Sequence, residues 1–381
     1  MMKVGITCYP TIGGSGIIAT ELGNMLANKG YEVHFITSSI PIRLHCTNPN
    51  IFYHEVEITD YPVFQYPPYD LALAAKMAEV IDREKLDILH VHYAMPHAIS
   101  AILAREIASH PIKIVTTLHG TDITVLGYDK VFKKMIAYGL EQSDAVTAVS
   151  QSLVNETKSS LQIKKDISVI YNFVNEADYY KRDEVNLRQK YDIAPDDKVL
   201  IHISNFRKVK RIPDIVKAFH LVRKKVKSKL VFVGDGPELS TVIDLVNELN
   251  LQDDVLFLGK QKSISELLSF SDVKLLMSEK ESFGLVLLEA MACKVPTIGT
   301  NIGGIPEVIV HGETGYVVEL GDYEKASQYI IQMLEDDALR KELSHNAFER
   351  AAKTFHSDEI LNQYIDLYKS LISPQGESDE A

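Results

Sequence analysis

"CYPTIGGSGIIATELGNMLANKG" occupies Cys8–Gly30. An apolar run, Val4 to Cys8, precedes it, and a helical pattern begins near Ile17. A strand-length run, a loop with Gly13, Gly14 and Gly16, then a helical segment is how a parallel-sheet βα unit opens. A glycine turn at a helix N-terminus offers backbone N–H groups and the positive end of the helix dipole to an anion. A tight turn that only lets strand and helix pack closely would use the same glycines. The order G-G-S-G is not the dinucleotide fingerprint. The second strand also ends "FITSS", without the acidic residue that binds a ribose in that fingerprint, so NAD is disfavoured.

The same pattern recurs along all 381 residues. "EVHFIT", "DILHVHY", "KIVTTLHG", "DAVTAVS" and "ISVIYN" follow in the first half. "KVLIHIS", "KLVFVGDG", "DVLFLG", "VKLLMS", "TIGT" and "GYVVEL" follow in the second. Between many of them lie helix-length segments such as Ala19–Lys29, Leu71–Glu84 and Ile212–Lys225. Alternating strands and helices imply parallel sheets of the doubly wound α/β class. The runs are apolar throughout, as strands covered on both faces are. They are too many for one tidy sheet. The polar stretch "NEADYYKRDEVNLRQKYDIAPDD" (Asn175–Asp197) marks the middle. The expected organisation is a Rossmann-like domain over 1–168 and a second Rossmann-like domain over 169–372. The last helix has the option of packing back on the first domain, and an acidic tail over 373–381 is expected to be disordered. Two such domains, facing, would put their strand ends around an interdomain cleft, where open α/β sheets bind ligands.

Composition narrows the partners. The chain has 52 acidic and 40 basic residues and a formal net charge of −12. That disfavours nucleic acid and membrane surfaces, both of which attract basic proteins. Cys8, Cys46 and Cys293 are odd in number and widely spaced, which suits neither a disulfide framework nor a zinc site. No signal peptide or membrane-spanning run is expected, and the chain reads as cytoplasmic.

Against this acidic background the basic cluster of "SNFRKVKRIPD" stands out. Arg207, Lys208, Lys210 and Arg211 follow a strand and precede a helix, a position that suits a phosphate partner. "EKESFGLVLLEAMA" places Glu281 before a helix start and Glu289 just over two turns on. The amides of Phe283 to Val286 would be unpaired donors there, suited to phosphate oxygens. Glu289 lies among apolar residues and needs partners, which sugar hydroxyls would supply; capping and salt-bridge roles for the two glutamates are the plainer alternative. "TTLHGTD" ends what counts as the fourth strand with His119, Gly120, Thr121 and Asp122. A histidine there can bind a sugar hydroxyl or move a proton, or be structural. His90, His92 and His97 lack a carboxylate or cysteine at ligand spacing, so no metal is expected of them. "VGDGPE" and "TNIGGIPE" are further glycine loops after strands, each weak alone.

Together these segments resemble the retaining glycosyltransferases of family 4, which have the GT-B fold. The two glutamates separated by seven residues, the N-terminal glycine loop, the histidine strand end, the basic cluster, "VGDGP" and "GGIPE" stand in that family's order. The likeness spans all but the tail. The wording of "GITCYPTIGGSGIIATELG", "LHGTDITVLGYD", "YNFVN", "SNFRKVKR" and "SEKESFGLVLLEAMAC" is similar to a branch that transfers N-acetylglucosamine from UDP-GlcNAc to the hydroxyl of L-malate, the first step of bacillithiol biosynthesis.

The resemblance implies roles residue by residue. Glu281 would hold the donor sugar, and the amides of Phe283, Gly284 and Leu285 would meet the sugar and diphosphate. Glu289 would bind the ribose, and His119 the 6-hydroxyl of the transferring sugar. Lys210 matches the family's diphosphate lysine, but Asn205 stands where an arginine is usual. Arg207 then supplies the missing charge, or Asn205 faces the acceptor. Gly14 is expected to approach the diphosphate, and Ser15, Tyr93 and Thr121 to seat malate. The implied reaction is front-face transfer with no carboxylate nucleophile, no cofactor and no metal. A homo-oligomer remains open. The alternatives are a family member with another small or lipid acceptor, a UDP-sugar epimerase of GT-B fold, and a non-catalytic sugar-nucleotide binder.

Overall fold

A computed structural model describes residues 1–373 except Ile12, 59–65, Pro67, 125–126, Tyr128 and 183–184. The chain forms two compact units. Met1–Asn172 and the segment from Asp358 make the first, and Phe173–Ser357 the second, against an expected boundary after residue 168. The tail from 374 onward lies outside the described residues.

The first unit holds a seven-stranded parallel sheet in the order β3-β2-β1-β4-β5-β6-β7. Its strands are β1 (Lys3–Thr7), β2 (Glu32–Thr37), β3 (Ile51–Glu55), β4 (Ile88–His92), β5 (Lys113–Leu118), β6 (Ala145–Ala148) and β7 (Ile167–Val169). β1 is buried beyond Lys3 and β4 throughout, as their unbroken apolar runs require. β3 was not among the expected strands. It is an edge strand, mostly half-buried or exposed, and its "IFYHE" mixes polar with apolar residues, which hides it from an apolar-run reading. His119 therefore follows the fifth strand, not the fourth. Leu73, Met77, Val80 and Ile81 from the helix Tyr69–Glu84 pack with Leu89 and Val91 in one core of this unit. Burying such side chains contributes about 1.5–3 kcal/mol each.

The helix after β1 runs from Gly14 to Asn28, earlier than the periodicity suggested. Gly13 caps it in an extended conformation, and its carbonyl accepts from Ile17 N–H at 3.1 Å. Gly16 has a packing reason to be glycine: a Cβ there would meet the carbonyl oxygens of Tyr9 at 2.5 Å and Thr11 at 2.8 Å. The last helix, Ser357–Ile372, carries Tyr364 and Tyr368 fully buried in the first unit. The Tyr368 hydroxyl sits 2.6 Å from His90 Nδ1.

The second unit is a six-stranded parallel sheet in the order β10-β9-β8-β11-β12-β13. Its strands are β8 (Lys198–Ile203), β9 (Ser228–Val233), β10 (Val255–Phe257), β11 (Val273–Leu276), β12 (Thr297–Thr300) and β13 (Gly315–Val318). Leu200, Leu230, Val273 and Leu275 face a core shared with Ile215, Phe219 and Ile330 of the covering helices. No helix among the described residues is long and apolar enough to cross a membrane.

Candidate active site

In the second unit the loops after β8 and β11 come together. Asn205 and Arg207 are exposed just past β8, and a short turn of 3₁₀ helix, Lys208–Lys210, follows. That turn brings the Lys210 ammonium to 2.7 Å from a Glu281 carboxylate oxygen, both side chains mostly buried. Arg211 instead turns to Asp214 at 2.6 Å and Glu279 at 3.8 Å, which fixes the start of the helix Ile212–Arg223. Gly284 precedes the helix Leu285–Ala292 in a left-handed conformation at φ 91°. Its lack of a Cβ permits that conformation at little cost. Phe283 turns inward, 2% exposed, edge-on to Phe355. Glu289 lies one turn from the end of the helix, 6% exposed, and accepts a 2.8 Å hydrogen bond from the Tyr179 hydroxyl.

The two loops rest on glycines whose role was not legible. A Cβ on Gly234 would stand 1.8 Å from the Ser204 carbonyl, and one on Gly236 within 2.7–2.9 Å of the Phe206 backbone. A Cβ on Gly303 would meet the Glu281 carbonyl at 1.9 Å, and one on Gly304 the Ser282 carbonyl at 2.2 Å. "VGDGPE" and "TNIGGIPE" thus support the basic loop and the glutamate loop by direct backbone contact. Gly304 N–H also donates to the Glu281 carbonyl at 3.0 Å.

Beneath these loops lies a residue that no motif signalled. Lys274 of β11 is fully buried, and its ammonium donates to the Leu275 carbonyl at 3.2 Å. Burial brings its pKa down to about 7, while the negative field of Glu289 works the other way. The one available signal was a lysine inside the apolar run "VKLLMS". Tyr179 gave none, since it lies in the polar mid-chain stretch.

The first unit gathers its own polar cluster at the ends of β1, β4 and β5. The Ser15 hydroxyl, on the first turn of its helix, donates to the Tyr93 hydroxyl at 2.9 Å. Tyr93 leaves β4 at φ 94°, a conformation that side chains rarely adopt, and its N–H bonds to the Thr117 carbonyl at 2.9 Å. Such strain, of order 1–3 kcal/mol, concentrates at functional sites. Thr121 is exposed at the start of the short helix Thr121–Thr124. The buried Asp122 carboxylate accepts from Ala94 N–H at 2.7 Å and Gly120 N–H at 3.3 Å. Burial pushes its pKa up to about 6.

His90, His92 and His119 form a stacked ladder, with centroids 4.3 Å and 5.1 Å apart. Burial holds all three neutral, His90 and His119 at about 3 and His92 well below its usual value. His92 Nδ1 faces His119 Nε2 at 2.8 Å, while His92 Nε2 is buried without a partner. A buried lone pair costs less than a buried unpaired N–H, so the His92 proton belongs on Nδ1 and is donated to His119 Nε2. His119 then carries its proton on Nδ1 and is a neutral donor, unsuited to act as a cationic acid at neutral pH.

Residues 12–178 match the family Glycosyltransferase Family 4, and residues 183–350 match Glycosyl transferases group 1. The chain is 57% identical over 371 residues, 97% of each protein, to N-acetyl-alpha-D-glucosaminyl L-malate synthase of Bacillus anthracis. Its fold is similar to a glycosyltransferase from Rickettsia africae, with TM-score 0.81, 24% identity, and 98% and 99% of the two chains covered. It is also similar to Anabaena HepE in complex with UDP-glucose, with TM-score 0.82, 21% identity, and 97% and 100% covered. With its two parallel sheets in GT-B architecture, the chain belongs to the family 4 retaining glycosyltransferases.

Proposed function

We propose that this protein transfers N-acetylglucosamine from UDP-GlcNAc to the hydroxyl of L-malate with retained configuration, opening bacillithiol biosynthesis in a reducing cytoplasm. The Lys210–Glu281 pair at the helix start carries the reading, because it sets a cation and a hydroxyl acceptor side by side. The relative at 57% identity supports the choice of donor and acceptor.

In this reaction the bond from the anomeric carbon to the diphosphate oxygen breaks first, and an oxocarbenium-like sugar forms. Lys210, Arg207 and the amides of Phe283, Gly284 and Leu285 stabilise the leaving charge, the role expected to dominate. Glu281 accepts from the sugar hydroxyls, and Glu289, oriented by Tyr179, from those of the ribose. His119 donates from Nδ1 to the sugar. Gly14 approaches the diphosphate, while Ser15, Tyr93 and Thr121 seat the dicarboxylate. Asn205 is the polar neighbour of Arg207 in the basic loop. The malate hydroxyl attacks the face that the diphosphate leaves, and its proton passes to the leaving phosphate oxygen. No cofactor enters, and protein cations take the place of a metal.

Mass spectrometry of products from UDP-GlcNAc with a panel of small hydroxy acids tests this reading. A glycosylated product and UDP release that both depend on malate are expected. UDP release without an acceptor, an epimerised sugar, or binding without turnover would overturn it.

A further inference from the structure

Away from these loops, the β2–β3 edge of the first unit brings together His34, His54 and Glu84, whose ligand atoms all lie within 4.8 Å of one another. We propose that these three residues bind one divalent metal ion of the zinc class, through His34 Nδ1, His54 Nε2 and a Glu84 oxygen, with water completing a tetrahedron. The strands set the geometry. β2 and β3 pair in parallel with His34 opposite Phe52 and Ile36 opposite His54, so the two histidines stand diagonally on one face. Glu84 ends the helix Tyr69–Glu84.

His34 Nδ1 and His54 Nε2 face each other at 2.9 Å. Bonds of about 2.0–2.1 Å at tetrahedral angles put ligand atoms about 3.3 Å apart, so a small parting of the rings admits the ion. Two imidazoles and a carboxylate are a set that zinc accepts with an open position. The other ring nitrogen of His34 lies 2.9 Å from Glu32 Oε1, the outer carboxylate that typically orients a ligating histidine.

Without an ion, a cation holds the outer side of this cluster. The Arg83 guanidinium donates to His54 Nδ1 at 3.0 Å and to Glu84 at 2.7 Å, contacting two of the three residues. Its side chain is half exposed and also bonds Glu79 at 2.7 Å. Because a guanidinium only donates, His54 Nδ1 accepts, and the His54 proton sits on Nε2, directed at His34. Metal uptake moves that proton to Nδ1 as Arg83 leaves, with no net proton release from the neutral imidazoles.

The test titrates Zn²⁺, with Co²⁺ as a visible-absorption probe, into the full chelator-stripped chain in a Cys46→Ser background, since Cys46 is exposed. One equivalent is expected to bind, with a tetrahedral Co²⁺ spectrum and a raised melting temperature. His54→Ala and Glu84→Gln should each weaken binding at least tenfold. Glu32→Gln should weaken it about tenfold, and Arg83→Met should tighten it by removing the competing cation. Circular dichroism identifies any variant that fails to fold, and Glu84→Gln and Arg83→Met act at the surface, so a reading survives the loss of His54→Ala. No saturable uptake, or uptake unchanged in Glu84→Gln and Arg83→Met, would leave only a hydrogen-bond relay from Arg83 to Glu32 and overturn the proposal.

Discussion

The Lys210 ammonium stands 2.7 Å from Glu281, joining residues 71 apart in sequence. Replacing Lys210 by Ala removes a charge that acts most strongly on the departing diphosphate. Turnover should fall about 10²–10³-fold, as for the loss of one preorganised donor, while the donor KM changes far less. Arg207→Ala should act in the same direction. Steady-state kinetics with varied UDP-GlcNAc measure both, and a raised donor KM with kcat unchanged would assign Lys210 to ground-state binding.

The Ser15–Tyr93 hydrogen bond makes a prediction for the acceptor. Ser15→Ala should raise the malate KM about tenfold, the size of one hydrogen bond to a charged ligand, with the donor KM unchanged. Tyr93→Phe should shift it the same way. If the donor KM rises as much, the pair belongs to the donor side.

Two glycines of the first loop separate packing from binding. Gly16→Ala places a Cβ 2.5 Å from the Tyr9 carbonyl and should destabilise the fold by about 1–3 kcal/mol. Gly14 is exposed at the first helical position, so Gly14→Val should fold normally and abolish transfer. Thermal melts alongside a transfer assay distinguish the two effects, and a Gly14→Val enzyme with wild-type activity would reduce the loop to a turn.

Lys274 predicts a pH dependence of stability. The unfolded lysine titrates near 10.5 and the folded one at about 7. Between those values the unfolded chain holds a proton that the folded chain has released, so this residue's contribution to stability rises with pH. Below 7 both states are charged and the contribution is flat at its lowest. Lys274→Met should therefore be more stable than wild type at pH 6.5, by on the order of a few kcal/mol, with a gap that narrows toward pH 10. Urea unfolding across that range tests it, and a gap independent of pH would mean the lysine titrates normally.

Transfer should persist in excess EDTA, because protein cations neutralise the leaving group. A strict Mn²⁺ requirement for turnover would assign that task to a metal. Any loss on chelation should appear in the melting temperature, through His34, His54 and Glu84.

Much of this was legible because buried parallel strands leave unbroken apolar runs, as in β1, β4 and β8. β3 escaped because this edge strand, mostly half-buried or exposed, mixes Ile51 and Phe52 with His54 and Glu55 instead of running apolar throughout. Lys210 and Glu281 were each readable from their motifs, but their pairing depends on β8 and β11 being neighbours in the sheet. Tyr179 has no local signature and Lys274 only its place inside an apolar run, since their partners are set by tertiary packing alone. The glycine loops at Gly234 and Gly303 looked generic in sequence. Their need for glycine exists only where another segment's carbonyl lies against them.

The chain leaves the first unit at Asn172 and re-enters it at Asp358. A ribosome delivers the chain in order, so the second unit has all its residues before the first does. His90 emerges early, but Tyr364 and Tyr368, which bury it, are made only after the whole second unit. The first unit to begin synthesis is therefore the last to be finished. A stop codon before residue 364 would yield a complete second unit attached to a sheet with an uncovered histidine ladder, exposed to misfolding and proteolysis.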